Sequence, residues 1–447
     1  MMDTPICDFV RTYAQSGALR LHMPGHKGEG PLGLEALDIT EIPGADSLYE
    51  ADGVIARSEA NASALFGAPT LYSTEGSSLC IRAMLALVQR HAAAQGRRPV
   101  IAAGRNAHKT FLSAAALLDL PVNWLTPEDA QSYLSCALSA GELEAQLAAM
   151  DEPPAAVYLT SPDYLGNTVD VAALSAVCHR HGALLLVDNA HGAYLRFLPQ
   201  SRHPIDLGAD LCCDSAHKTL PVLTGGAYLH IAESMPQTLR AQAKDALALF
   251  GSTSPSYLIL QSLDAANRTL AQGYRARLAD FLPLVQRAKD ALRSQGYALC
   301  GDEPLKLTLR TKPYGYRGAE LAARLAEGGV VCEFADPDFL VMMLTPEIGE
   351  SGLARMVEVL AAVPRRDAIW EEPPAFRRAE RVMSIREAML APGERVPVEA
   401  SEGRVLASAS VGCPPAVPVL VCGERIDAHA IACFGYYGIK TCMVVKQ

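Results

Sequence analysis

Short apolar runs alternate with stretches of helical period along most of this chain. Residues 99–103, 155–160, 183–187, 211–213 and 226–231 are runs of strand length, and the strictly apolar 183–187 ends at Asp188. Between them, 108–118 and 171–181 carry helical patterns. Apolar strands separated by helices predict an α/β fold, a mainly parallel sheet with helices on both faces. Ligands bind such sheets outside the carboxyl ends of the strands, so the polar residues that follow each run matter most. Upstream, residues 1–55 are rich in Gly, Pro and His, with HMPGHKGEG at 22–30 and EIPGAD at 41–46, and read as an arm of turns. Residues 53–94 are helical except at GAPTLYSTEGSS (67–78), which reads as a short strand and then a helix start at Gly76, Ser77 and Ser78.

Downstream, one long helix is expected over 256–295. Strands at 305–310 and 339–344 around a helix at 317–327 predict a smaller α+β domain, and Pro373 and Pro374 mark a break before the last segment. The expected organisation is an arm (1–55), a large domain (56–270), a small α+β domain (271–372) and a C-terminal segment (373–447). The C-terminal stretch YYGIKTCMVV is read as adding a strand.

Composition narrows the class. A chain of 447 residues exceeds one small core, and its half-hydrophobic, one-fifth-charged make-up is that of a soluble enzyme. The net charge of −10 argues against nucleic acid or an anionic membrane as partner. Twelve scattered cysteines without a CxxC pair form neither a disulfide framework nor a zinc site, so no metal is expected. They read as reduced, mostly buried thiols of a cytoplasmic protein. Residues 1–10 show no apolar core of a secretory signal. No run approaches the roughly eighteen apolar residues that span a bilayer.

The candidate chemistry lies in DNAHGAY at 188–194 and DSAHKTLPVLTGGAYLH at 214–230. Asp188 closes a strand, and Lys218 follows thirty residues later in a polar loop after another. A pyridine cofactor with an aldehyde needs both groups: an amine to condense with, and a carboxylate to keep the ring nitrogen protonated. Ser215, His217 and Thr219 surround the lysine with hydroxyls and an imidazole. On spacing alone a second reading stands, in which Asp188 caps a helix and Lys218 is a solvated charge.

These motifs, with RNAHKT (105–110), TSPDYLG (160–166), TSPSYL (253–258) and PPAVPVLVCGER (414–425), occur in an order that resembles the Orn/Lys/Arg decarboxylases. That family is of fold type I, the transferase-like fold of enzymes dependent on pyridoxal 5′-phosphate (PLP). The likeness is to the shorter forms without a separate N-terminal regulatory domain. The resemblance implies Lys218 as the Schiff-base lysine and Asp188 as partner of the pyridinium nitrogen. It implies His108 stacked on the ring, His191 close to it, and Gly76, Ser77, Ser78 and Ser215 at the phosphate. A helix start at Gly76 suits an anion independently. His217 is implied in phosphate contact or proton transfer. The arm carrying His22 and His26 is implied to reach an active site, that of a neighbouring subunit, which makes a homodimer or larger homo-oligomer the expected assembly. The chain departs from the common DEAHGAH form at Asn189 and Tyr194, and from STHK at Ala216; Glu75 also bears on the pocket.

The implied reaction is decarboxylation of a basic amino acid in polyamine or amino-acid metabolism, arginine first, then lysine or ornithine. Glu333, Asp336 and Glu424 are the acids placed to read a cationic side chain. An aminotransferase or a C–S or C–C lyase on the same fold is the alternative, and a catalytically inactive PLP-fold binding protein another.

Overall fold

The computed structural model describes residues 2–130, 132–409, 412–413 and 417–446. Seven short strands carry the apolar runs: β1 (Thr70–Ser73), β2 (Ile101–Gly104), β3 (Val122–Leu125), β4 (Ala156–Thr160), β5 (Leu184–Asp188), β6 (Leu211–Asp214) and β7 (Ala227–Ile231). β2, β6 and β7 are buried at every position, as strands covered on both faces must be. The chain divides into two compact units that alternate along it. One is Met1–Arg98 with Leu184–Ala279, the other Pro99–Ala183 with Asp280–Gln447.

In the first unit the strand order is β1-β7-β6-β5. β5 and β6 run parallel, whereas β7 is antiparallel to β6 and to β1. Helices Val54–Phe66, Gly76–Ala94 and Tyr257–Thr269 belong to this unit. The arm is not turns alone, because Pro5–Gln15 is a helix with Ile6, Cys7 and Val10 buried. Its N-cap Thr4 makes no side-chain cap. Asp264 does so from a distance, its Oδ2 accepting from the Ile6 and Cys7 amides at 3.0 and 2.9 Å.

In the second unit β4, β2 and β3 are neighbours in that order and all parallel. A separate antiparallel sheet follows, ordered β10-β11-β9-β8, from β8 (Ala298–Cys300), β9 (Lys306–Arg310), β10 (Phe334–Ala335) and β11 (Phe339–Met343). Strand Thr441–Val445 pairs antiparallel with Gly393–Pro397, as the apolar C-terminus suggested. Val398, Leu406, Ile426, Phe434 and Val444 bury there with Tyr133, Phe334 and Val341. The stretch 256–295 is two helices, Tyr257–Thr269 and Arg275–Ser294, because Gln272 and Gly273 leave helical geometry. Residues 414–416, which open the C-terminal motif, lie outside the described residues. No helix among the described residues is long and apolar enough to cross a membrane. Most of the described cysteines are buried.

Candidate active site

Parallel pairing sets the ends of β5 and β6 side by side, with Asp188 in register with Cys213. Leu185, Leu186 and Val187 are wholly buried and fix β5 in the sheet, so Asp188 is carried to its carboxyl end. The Asp188 carboxylate is itself buried. Its Oδ1 accepts from the Ala190 amide at 3.2 Å and lies 3.6 Å from Cys213 Sγ. After β6, Ser215 leads into the single helical turn Ala216–Thr219, which carries His217 and Lys218 half-buried. Lys218 Nζ is 3.3 Å from His191 Nε2. His217 Nδ1 is 3.0 Å from the Gly226 carbonyl oxygen. A carbonyl only accepts, so Nδ1 carries the proton in the neutral ring, leaving Nε2 as acceptor.

The turn before helix Gly76–Ala94 depends on two glycines. Gly76 has φ +69° and donates its N–H to the Gly225 oxygen at 2.7 Å. Gly225 has φ +98°, and a Cβ on it would lie 2.8 Å from the Thr74 oxygen. The helix start therefore faces the end of β6, and the Ser215 hydroxyl donates to that of Ser77 at 2.7 Å, both residues buried. Glu75 precedes this start with an exposed carboxylate whose Oε1 accepts from the Ser252 amide at 2.6 Å. Asp188, His191, Ser77, Ser215, His217 and Lys218 thus belong to one unit.

The other expected residues have partners of their own. His108 is the N-cap of helix Lys109–Leu118, its Nδ1 accepting from the Thr110 amide at 3.2 Å. His22 Nε2 meets Tyr13 Oη at 2.5 Å, and His26 Nε2 lies 3.2 Å from Asp38 Oδ2. Glu333 is exposed and accepts from the Tyr164 hydroxyl at 3.1 Å. Glu424 is buried, ion-paired to Arg105 at 2.9 Å, with the Val421 amide on the same oxygen. Burial pushes its carboxyl up, and the Arg105 guanidinium acts against that rise. Tyr194 is wholly buried. Sequence reading missed the group around Asp214, formed with Asn189, His203 and His230. Asn189, Asp214 and His230 lie inside the two motifs, but nothing in their spacing joins them to one another or to His203.

The model of the Orn/Lys/Arg decarboxylase major domain matches residues 4–301, and that of the family's C-terminal domain matches 377–441. The chain belongs to the Orn/Lys/Arg decarboxylase family. It is 28% identical over 471 residues to an arginine decarboxylase of Bacillus subtilis (strain 168), covering 96% of this chain and 92% of that protein. To an arginine decarboxylase of Halalkalibacterium halodurans it is 29% identical over 465 residues, covering 96% and 92%. The lysine decarboxylase of Francisella novicida has the same fold at a TM-score of 0.80, with 16% identity over 99% of this chain and 81% of that one. The expected fold type I architecture is therefore correct. This family member is a decarboxylase of basic amino acids, and its cofactor is PLP. The donor set in the first unit fits that group: an amine for the aldehyde, a buried carboxylate, and two hydroxyls 2.7 Å apart at the start of a long helix.

Proposed function

We propose that this enzyme decarboxylates arginine to agmatine, with lysine to cadaverine and ornithine to putrescine as the next candidates. The observation that carries the reading is the Lys218 amine held 3.3 Å from His191, in the helical turn that follows β6, the strand next to the one that Asp188 ends. The arginine decarboxylases that align over nine-tenths of their own length support putting arginine first.

When bound, PLP supplies an electron sink for the pair left by departing CO2. In this reading Lys218 holds the cofactor through its aldehyde, and His191 Nε2 takes the proton that the amine must lose. Asp188 keeps the proton on the ring nitrogen. Ser77, Ser78 and Ser215 bind the phosphate with the Gly76 turn, and His108 covers the ring. Lys218 Nζ, or His217 Nε2 after it has itself taken up a proton, returns a proton to the substrate Cα. Glu424 is already committed to Arg105, so exposed Glu333 is the better reader of the substrate's far-end cation. The active unit is a homodimer in which His22 and His26 come from the second copy. Exposed Leu19, Leu21 and Leu32 on the arm support a covered position for it.

The test is a product assay on arginine, lysine and ornithine, with and without an α-keto-acid acceptor. Agmatine formed with the highest kcat/KM is expected. Cadaverine or putrescine formed faster would sink the arginine assignment.

A further inference from the structure

Asp214, the last residue of β6, is a carboxylate with no exposure at all. Its Oδ1 accepts from Asn189 Nδ2 at 2.7 Å. Its Oδ2 lies 3.1 Å from His203 Nε2 and 3.0 Å from His230 Nε2. Those three partners are also fully buried. Burial on its own pushes the Asp214 carboxyl up, but the two imidazoles more than offset it and hold the group well below the usual carboxylate range. An ionised acceptor with donors on both oxygens is fixed in position and in rotation, which apolar packing alone does not achieve.

Asn189 is the residue after Asp188, and Asp214 is the residue before Ser215. Asn189 is tied to the end of β6 twice, by its backbone N–H to the Cys213 oxygen at 3.0 Å and by its side chain to Asp214. Gly192 leaves room for that side chain, since a Cβ there would lie 2.0 Å from Asn189 Oδ1. Residue 189 is also where the chain departs from the common DEAHGAH form. An acid there would set two carboxylates face to face across a hydrogen-bond distance. The amide at 189 is matched to the acid at 214.

We propose that Asn189 and Asp214 are a matched positioning pair, held by His203 and His230, that fixes the turn of Asp188 against Ser215 and so sets the cofactor's ring and phosphate contacts. This rests on the cofactor placement proposed above. Borohydride mapping of Lys218 tests that placement separately, so the two can fail independently.

The experiment is a double-mutant cycle on the full-length protein with Asn189→Asp, Asp214→Asn and the exchange of both. Asn189→Asp leaves two acceptors opposed, whereas Asp214→Asn takes the charge from between the imidazoles and keeps its contact with residue 189 only if the Asn189 amide turns over. The exchange restores the contact across the pair, because the new amide at 214 donates to the acid at 189 while its oxygen accepts from both imidazoles; only the Cys212 thiol, 3.8 Å from Asp214 Oδ1, loses its acceptor. Apo-protein is reconstituted with PLP, and affinity, circular dichroism of the cofactor's visible band and apo-protein melting are read. Asn189→Asp is expected to bind PLP about 10-fold more weakly with a diminished visible signal, Asp214→Asn to lose less, and the exchange to recover most of what Asn189→Asp loses. Single variants that bind PLP with wild-type affinity and signal, and merely melt earlier, would reduce the group to core packing. An exchange no better than the two singles combined would deny the match. If a single variant fails to fold, Asn189→Ala removes the amide without adding charge, and wild-type affinity and signal in that protein overturn the proposal.

Discussion

Lys218 and Asp188 fail in different ways when removed, and that difference tests their roles. Borohydride should abolish the yellow colour of the holoenzyme, and peptide mapping should find the reduced pyridoxyl group on Lys218. A label on Lys109 would move the centre elsewhere. Asp188→Asn should still bind PLP while losing roughly 10²–10³ in turnover, about 2.7–4 kcal/mol, as is common when one transition-state electrostatic partner goes. Wild-type turnover would leave Asp188 as a holder of its own turn through the Ala190 amide. Of the three acids considered for specificity, Glu424 and Glu333 separate by burial. Glu424→Gln strands Arg105 in the interior and should cost about 3–5 kcal/mol in urea unfolding. Glu333→Gln should leave stability unchanged and raise KM for arginine. At this scale the sequence was legible where motifs are local, as in VDNAHGAY and SAHKTL. Glu424 was misleading because its partner lies 319 positions away.

Among the elements, the strands around the site fall where their apolar runs put them, and β5 shifts by one position to take in Asp188. Strand β3 and helix Ala140–Ala148 were not anticipated, and two further features escaped for reasons that can be named. Helix Pro5–Gln15 was hidden in a segment dominated by glycine and proline, and its cap comes from Asp264, far along the chain. The break at Gly273 was hidden because one glycine in a long helical pattern is usually tolerated. Gly273 has φ +88° and open space around it, so Gly273→Ala meets backbone strain alone. We expect a loss of about 1–2 kcal/mol by urea unfolding; no change would mean that the break relaxes into helix. The turn between β10 and β11 gives a pH test. Asp336 is buried there, its Oδ1 accepting from the Asp338 and Phe339 amides, both at 2.7 Å, and burial pushes its carboxyl up to about 6. The folded chain then holds this proton more tightly than the unfolded chain, whose Asp titrates near 4. Stability is therefore lost as pH rises from about 4 to about 6. Asp336→Asn keeps the acceptor and removes the ionisation. Its unfolding midpoint should fall less over that window and exceed that of the wild type at pH 7. Parallel curves would place the ionisation outside the turn.

For the whole molecule, the proposed dimer predicts complementation. Lys218→Ala and His26→Ala, each inactive alone, should regain part of the activity when mixed, if the arm serves a neighbour. A fully active His26→Ala protein would confine His26 to its contact with Asp38. Family and cofactor were legible from motif order, whereas the division into alternating units was not, since it depends on contacts between segments far apart in sequence. That alternation has a consequence for synthesis. β1 takes its antiparallel partner from β7, with Thr70 opposite His230, 160 residues later. At the usual pace of a ribosome, about 5–20 residues per second, β1 waits roughly 8–32 s for that partner to be made. The nascent chain thus carries an unpaired strand of the first unit through the whole synthesis of β2, β3 and β4, an interval in which a chaperone has more to protect than at any time after release.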